Sequence, residues 1–259
     1  MEWLNVLAGL LVGIIVGITG VGGGSLMSPL LILMFGVAPA TAIGTDLWFA
    51  AITKSVGGYI HHRHASVDMS VVRLLALGSI PAALLVGLWL WYSGIGRVDS
   101  PMLGVSLGIV LILTSISTLC RRRLANYVQL LPIRSNPGFP AMKRAATVLA
   151  GALLGVMVTM TSVGAGALGA IMLMALYPRR LSLRRLVGTD IAHAVPIAFV
   201  GGIIHLLIGT VDLGLLGLLL LGSVPGIALG AKLASMVPER VVQPVLATVL
   251  LIAGLKLAL

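Results

Sequence analysis

Charge is scarce in this chain. Only 9% of its 259 residues are charged, and acids (7) are rarer than bases (17). A soluble domain carries about a quarter charged residues, so a water-covered surface is excluded over most of the length. Cysteine is nearly absent: the lone Cys120 precludes an intrachain disulfide, and nothing in the sequence places it near chemistry. No His-x-x-x-His pattern occurs, the single Gly-x-Ser-x-Gly match (Gly104–Gly108) lies inside an apolar run, and Cys120 stands apart from the histidines. A hydrolase or metal enzyme needs such a set, so neither an enzyme nor a cofactor is expected.

What the chain has in abundance is apolar surface, 59% of residues. Runs of about 18 or more apolar residues recur from end to end, which reads as an all-α polytopic membrane protein. The short alternating segments of a β-barrel are missing. A net charge of +10 would suggest nucleic acid in a soluble protein, but the bases lie mostly in short loops between apolar runs. Membrane topology explains them better, and no nucleic-acid partner is expected. The N-terminus lacks a basic n-region and reads as the first membrane segment.

Four glycines fall within residues 19–25, T-G-V-G-G-G-S, inside the first apolar segment, 4–35. Each costs about 1 kcal/mol relative to Ala in a helix interior, so the helix breaks there. Non-helical backbone at membrane depth is tolerated only where protein buries it or a wet cavity adjoins it. Further runs cover 40–60, 71–92 and 102–119, and a basic linker with Pro132, Pro137, Gly138 and Pro140 spans 121–144. The second half repeats the order: a broken segment at 145–176, then 186–208, 213–236 and 241–259.

The repeat is direct in register. At an offset of 142, Gly9, Gly13, Thr19, Val21, Gly22 and Gly24 match Gly151, Gly155, Thr161, Val163, Gly164 and Gly166. At an offset of 144, Gly44-Thr45-Asp46 matches Gly188-Thr189-Asp190, Val67-Asp68 matches Val211-Asp212, His61 matches His205, and Gly78-Ser79 with Pro81 matches Gly222-Ser223 with Pro225. If each broken segment crossed once, loop cations would split eight against seven between the faces. If each is a re-entrant hairpin, the split becomes fourteen to one, with Arg97 alone on the other side. The positive-inside rule favours the hairpin. Each half is then one hairpin plus three transmembrane helices, and an odd number of crossings makes the two repeats inverted. Both termini are expected outside the cytoplasm. An arm of about 12 residues reaches about 18 Å, half of a ~30 Å core, so the tips should meet near the midplane.

Ser25 begins an arm whose N-terminus points into the membrane. Free N–H groups and the helix dipole favour an anion there. Expected substrate contacts are Thr19, Gly22, Gly23, Gly24 and Ser25 in the first half, Thr161, Gly164 and Gly166 in the second, and Thr45, Lys54 and Thr189 from neighbouring helices. Asp46 and Asp190 are intramembrane carboxylates at matching positions, functional by default. Lys54 lies about two turns beyond Asp46, and His193 shares a face with Asp190. Asp46, Asp190 and His193 are therefore candidates for coupling or gating. His61, His62 and His64 read as an interfacial loop, because Arg63 disfavours a cation. Asp68 and Asp212 read as helix caps. Trp89, Trp91 and Tyr92 read as an interfacial belt.

G-I-T-G-V-G-G-G-S-L-M-S-P-L-L (17–31), A-I-G-T-D (42–46), V-G-T-D-I-A-H-A-V-P (187–196) and G-T-V-D (209–212) together resemble the TauE/SafE sulfite-exporter family of membrane transporters. The resemblance covers nearly the whole chain. It implies passage of a small sulfur-containing anion such as sulfite, thiosulfate or an organosulfonate. The expected protein is thus a secondary transporter in a bacterial plasma membrane. Its partners are a small anion and the lipid bilayer, with protons as a candidate coupling ion and a homo-oligomer left open. A passive anion channel on the same fold and a non-transporting membrane assembly protein are the alternatives.

Overall fold

The computed structural model describes residues 2–19, 24–63, 67–95, 101–130, 139–178, 180–233 and 239–259. Among these, the chain forms helices and no strand: α1 (Glu2–Thr19), α2 (Gly24–Phe35), α3 (Pro39–Arg63), α4 (Met69–Ser93), α5 (Pro101–Leu130), α6 (Phe139–Thr161), α7 (Ala167–Leu176), α8 (Leu183–Ile208), α9 (Leu213–Leu233) and α10 (Glu239–Ala258). The two broken segments are α1/α2 and α6/α7. Five stretches are long and apolar enough to cross a bilayer: Met69–Ser93, Pro101–Cys120, Ala141–Thr161, Arg185–Ile208 and Leu213–Gly230.

Several boundaries differ from the sequence reading. The spans expected at 40–60 and 241–259 are helices but are not among those five. Helix α3 is continuous but less apolar, with Asp46 and Lys54 in it, and the apolar part of α10, Val242–Ala258, is shorter. Helix α5 runs on through Arg121–Arg123 to Leu130, into the stretch read as linker. Arg, Leu and Ala are good helix formers, and the first proline comes only at Pro132. Helix α6 has 23 residues, about 34 Å, against 10 in α7. The arms of that segment are therefore unequal, not both about 12 residues.

The halves interlock. Helix α1 packs along α9 and α6 along α4, while α3 pairs with α8 and α5 with α10. These contacts map onto one another through the repeat. A Cβ on Gly9 would strike the Leu219 carbonyl, and its repeat mate Gly151 meets that of Leu75. Gly13 and Gly155 face the carbonyls of Ser223 and Ser79 in the same way. Reciprocally, Gly78 lies against the Val148 carbonyl and Gly222 against that of Val6. Small residues let helix backbones approach where no aqueous hydrophobic force draws them together. So the first arm of each broken segment is held by the other half.

The ends of the broken segments are fixed too. Thr147, early in α6, hydrogen-bonds the Tyr177 hydroxyl just after α7 at 2.8 Å, and Lys143 Nζ stands 4.3 Å over the Tyr177 ring. The start of α6 and the finish of α7 thus lie at one end of the molecule. Leu4, Asn5, Phe35 and Val37 line one cavity, which brings the start of α1 to the finish of α2. The α4 and α9 starts are capped as expected: Asp68 Oδ1 accepts from Val71 N, and Asp212 Oδ1 from Leu215 N.

Candidate functional site

The break between α6 and α7 is a tight reversal. Ser162 has φ +59°, Gly164 +123° and Gly166 +133°. Only glycine adopts the latter two without strain. Ser162 occupies the repeat position of Gly20, the signal by which the sequence could have flagged it. Thr161 Oγ1 donates to Met157 O at 2.6 Å and accepts from Val163 N at 3.2 Å. It therefore stabilises the reversal. Gly166 is the N-cap of α7 and supplies no side-chain cap. The Gly169 N–H of the first turn donates to the Gly164 carbonyl at 3.1 Å, so this end offers an anion only the N–H groups ahead of it. In the first half, Gly22 and Gly23 lie outside the described residues, as does the Thr19 side chain. Gly24 opens α2, and Ser25 follows it half-buried.

Lys54 reaches this reversal from α3. Its Nζ donates to the Ala165 carbonyl at 3.2 Å, and the side chain is buried. The ammonium lies within electrostatic reach of Asp46, Asp190 and His193. Asp46 is fully buried; Ser28 Oγ of α2 donates to its Oδ2 at 2.6 Å. Ser162 stands beside the same carboxylate. Asp46 Oδ1 and Ser162 Oγ are buried without a hydrogen-bond partner among the described residues. The Asp190 carboxylate lies against α7 in the space a Cβ on Gly169 would fill. Gly169 thus lets α8 bring its acid to the α7 start.

His193 Nε2 shares a hydrogen bond of 2.9 Å with Ser79 Oγ of α4, and its Nδ1 has no partner among the described residues. Its sequence-expected partner was Asp190; the tertiary partner is Ser79. The repeat equivalent of His193 is Phe49 and that of Lys54 is Ala198, so the cluster is asymmetric although the scaffold repeats. Ser28, Ser79, Ser162 and Gly169 were missed by sequence reasoning. Ser79 stood in the repeat register, but nothing local pointed it at a histidine 114 residues away.

Thr45 and Thr189 behave as a pair. Thr45 Oγ1 accepts from Asp212 N at 3.1 Å, and Thr189 Oγ1 from Asp68 N at 3.0 Å. Each Gly-Thr-Asp motif so anchors the start of a helix in the other half, Thr45 that of α9 and Thr189 that of α4. Both threonines are fully buried. In these bonds each Thr oxygen is the acceptor, so each hydroxyl proton remains available to a further acceptor.

One of the two capping acids has a further partner. Arg180 Nε and Nη2 donate to Asp68 Oδ2 and Oδ1 at 2.7 and 2.9 Å. Burial pushes the Asp68 carboxyl up, but the Arg180 hydrogen bonds and charge, the Val71 N–H and the Arg185 charge outweigh it. The net effect holds Asp68 below its ordinary 3.8. A carboxyl depressed by folding stabilises above its unfolded pKa, and the contribution disappears as pH falls through the folded value. Asp68→Asn should therefore unfold at a lower temperature than wild type at neutral pH. The gap should close as pH drops below 3.8. Thermal unfolding in detergent across that range measures it; a gap independent of pH would assign Asp68 a cap role only.

Apolar helices closed around a buried cluster of two acids, a lysine and a histidine define a multi-pass membrane protein with an ionic centre. Residues 5–257 match the family model described as Sulfite exporter TauE/SafE. The chain is 40% identical over 258 residues to "Probable membrane transporter protein YjnA" of Bacillus subtilis (strain 168), covering 97% of this chain and 98% of that one. It is 30% identical over 258 residues to "Probable membrane transporter protein YdhB" of the same organism, covering 98% and 99%. No solved structure matches it. The chain belongs to the TauE/SafE family of membrane transporters.

Proposed function

We propose that this transporter carries a small sulfur-containing anion, such as sulfite, thiosulfate or an organosulfonate, bound where the α6/α7 reversal meets Lys54. One observation carries the reading: a buried ammonium hydrogen-bonded to the Ala165 carbonyl, beside an α7 N-terminus that no side chain caps. Ammonium, backbone N–H groups and the Ser162 hydroxyl are all donors, the set an oxyanion needs. The glycine-rich stretch of the first half, Gly22, Gly23, Gly24 and Ser25, is its counterpart in the sequence repeat.

In this reading α1/α2 and α6/α7 are re-entrant hairpins of two inverted repeats. The Thr147–Tyr177 contact supports a return to the side of entry. The reciprocal packing of α1 on α9 and α6 on α4 supports the symmetry. Rocking of one half against the other would then expose the site alternately. Thr45 and Thr189 hold the halves together through their oxygens and keep a hydroxyl proton each to donate.

The same cluster gives a reason for proton coupling. Two carboxylates and one ammonium carry a net negative charge when all are ionised. An anion entering that cluster is repelled unless a carboxyl takes up a proton. Asp46 and Asp190 are the groups that would do so, with His193 on the route. The test is flux of labelled sulfite, thiosulfate and an organosulfonate in proteoliposomes with and without a pH gradient. Saturable flux that responds to the gradient is expected. Saturable flux indifferent to it would remove the proton, and flux without saturation would mark a passive channel. No anion flux from folded protein would overturn the reading.

A further inference from the structure

Two clefts occupy repeat-equivalent places, and they differ in charge. The first, about 640 Å³, lies at the starts of α1 and α9 and is lined by Asn5, Phe35, Asp212 and Gly214 among others. The second, about 510 Å³, lies at the starts of α4 and α6 and is lined by Ser70, Arg73, Lys143, Arg144, Tyr177 and Arg180, with Leu74. Phe35 corresponds to Tyr177, and Gly214 to Ser70. The scaffold therefore does not require cations here: among the described residues one cleft has none in its lining and the other has four. Arg180 is half-exposed and already bridges Asp68. Lys143 and Arg180 both lie over the Tyr177 ring, 4.3 and 5.8 Å from its centroid. Arg73 and Arg144 are exposed at the rim.

An apolar track leads away from these cations. Ser70, Arg73 and Leu74 share a helical face with Leu77, Leu84 and Leu88, at spacings of three, four and seven. Those leucines are 65%, 49% and 55% exposed. A basic cleft at the end of a helix, continuous with an exposed apolar stripe, matches a molecule with an anionic head and hydrocarbon tails.

We infer that the Arg73–Lys143–Arg144–Arg180 cleft is a binding site for an anionic phospholipid, its phosphate held by the cations and its acyl chains lying along the exposed face of α4. Basic pockets between transmembrane helices recognise lipid phosphate by this chemistry. The site is separate from the transport cluster and does not depend on the substrate proposed above.

The experiment uses the full chain, purified in detergent and relipidated. Phosphatidylglycerol should raise its unfolding temperature by several degrees where phosphatidylcholine does not, and native mass spectrometry should retain the anionic lipid. The paired substitution Arg73→Gln and Arg144→Gln should abolish both effects, whereas Lys256→Gln, an exposed cation on α10, should leave them intact. Full retention in the paired variant overturns the inference. So does an equal stabilisation of wild type by inorganic phosphate alone, which would make this a soluble-oxyanion site. Should the paired variant fail to fold, a photoactivatable phosphatidylglycerol on wild type decides: labelling of peptides from the α4 and α6 starts supports the site, and labelling confined elsewhere overturns it.

Discussion

Lys54→Met is expected to cut anion flux in proteoliposomes by about 10- to 100-fold, while Lys54→Arg retains a measurable fraction. A hydrogen bond to a charged group contributes about 1.5–3 kcal/mol, and each 1.4 kcal/mol is about tenfold in an equilibrium. Lys54 is also the cation facing Asp46 and Asp190. Without it, two carboxylates confront an incoming anion. A merely structural lysine would lower thermal stability and flux together. Unfolding temperature in the same preparations separates these cases. If a folded Lys54→Met variant transports at the wild-type rate, the reversal is not the substrate site.

The second large effect concerns assembly. Gly78→Val and Gly222→Val should each destabilise the protein by about 1–3 kcal/mol, and by similar amounts, because overpacking of a close contact costs on that scale. At both positions the added carbon meets the backbone carbonyl of a facing helix, Val148 and Val6 respectively. Backbone does not swing aside as a side-chain tip does, so α4 must part from α6, or α9 from α1. Gly217 on α9 has open space where its Cβ would point. Gly217→Ala should be neutral or stabilising by up to about 1 kcal/mol, since Ala is the better helix former. Denaturant titration in mixed micelles measures all three. A tolerated valine at Gly78 or Gly222 would mean the helices do not approach as closely as the structure has them.

Much of the architecture was legible because membrane sequences are constrained simply. Apolar runs must be helices, since lipid offers no partner to backbone polar groups. Glycine clusters break those helices, and the α6/α7 break and the Asp68 and Asp212 caps fall where the residues indicate. The roles within the site were less legible. Thr45 and Thr189 looked like substrate donors because they precede aspartates in a repeated motif. In the structure their oxygens also accept from the amides of Asp212 and Asp68, more than a hundred residues away, which the motif did not indicate. His193 shares a helical face with Asp190, yet its imidazole bonds Ser79. Helical spacing says which side chains share a face; it does not say which other helix that face will meet.

The sequence by itself determined that the chain is a helical membrane protein, that its two halves share one plan, and that each half is broken at glycine. These follow from hydropathy, periodicity and the missing Cβ, which act over a few residues. Tertiary structure decided which half holds which. The packing of α1 on α9 and α6 on α4, the reach of Lys54 to Ala165, and the bridge from Arg180 to Asp68 join residues distant in the chain. Those pairings depend on how whole helices fit together, which a glycine makes possible but cannot name. The broken segment at residues 161–167 is accordingly more than a weak point in a helix: packing across the halves turns it into the place where a buried ammonium meets a helix N-terminus that no side chain caps.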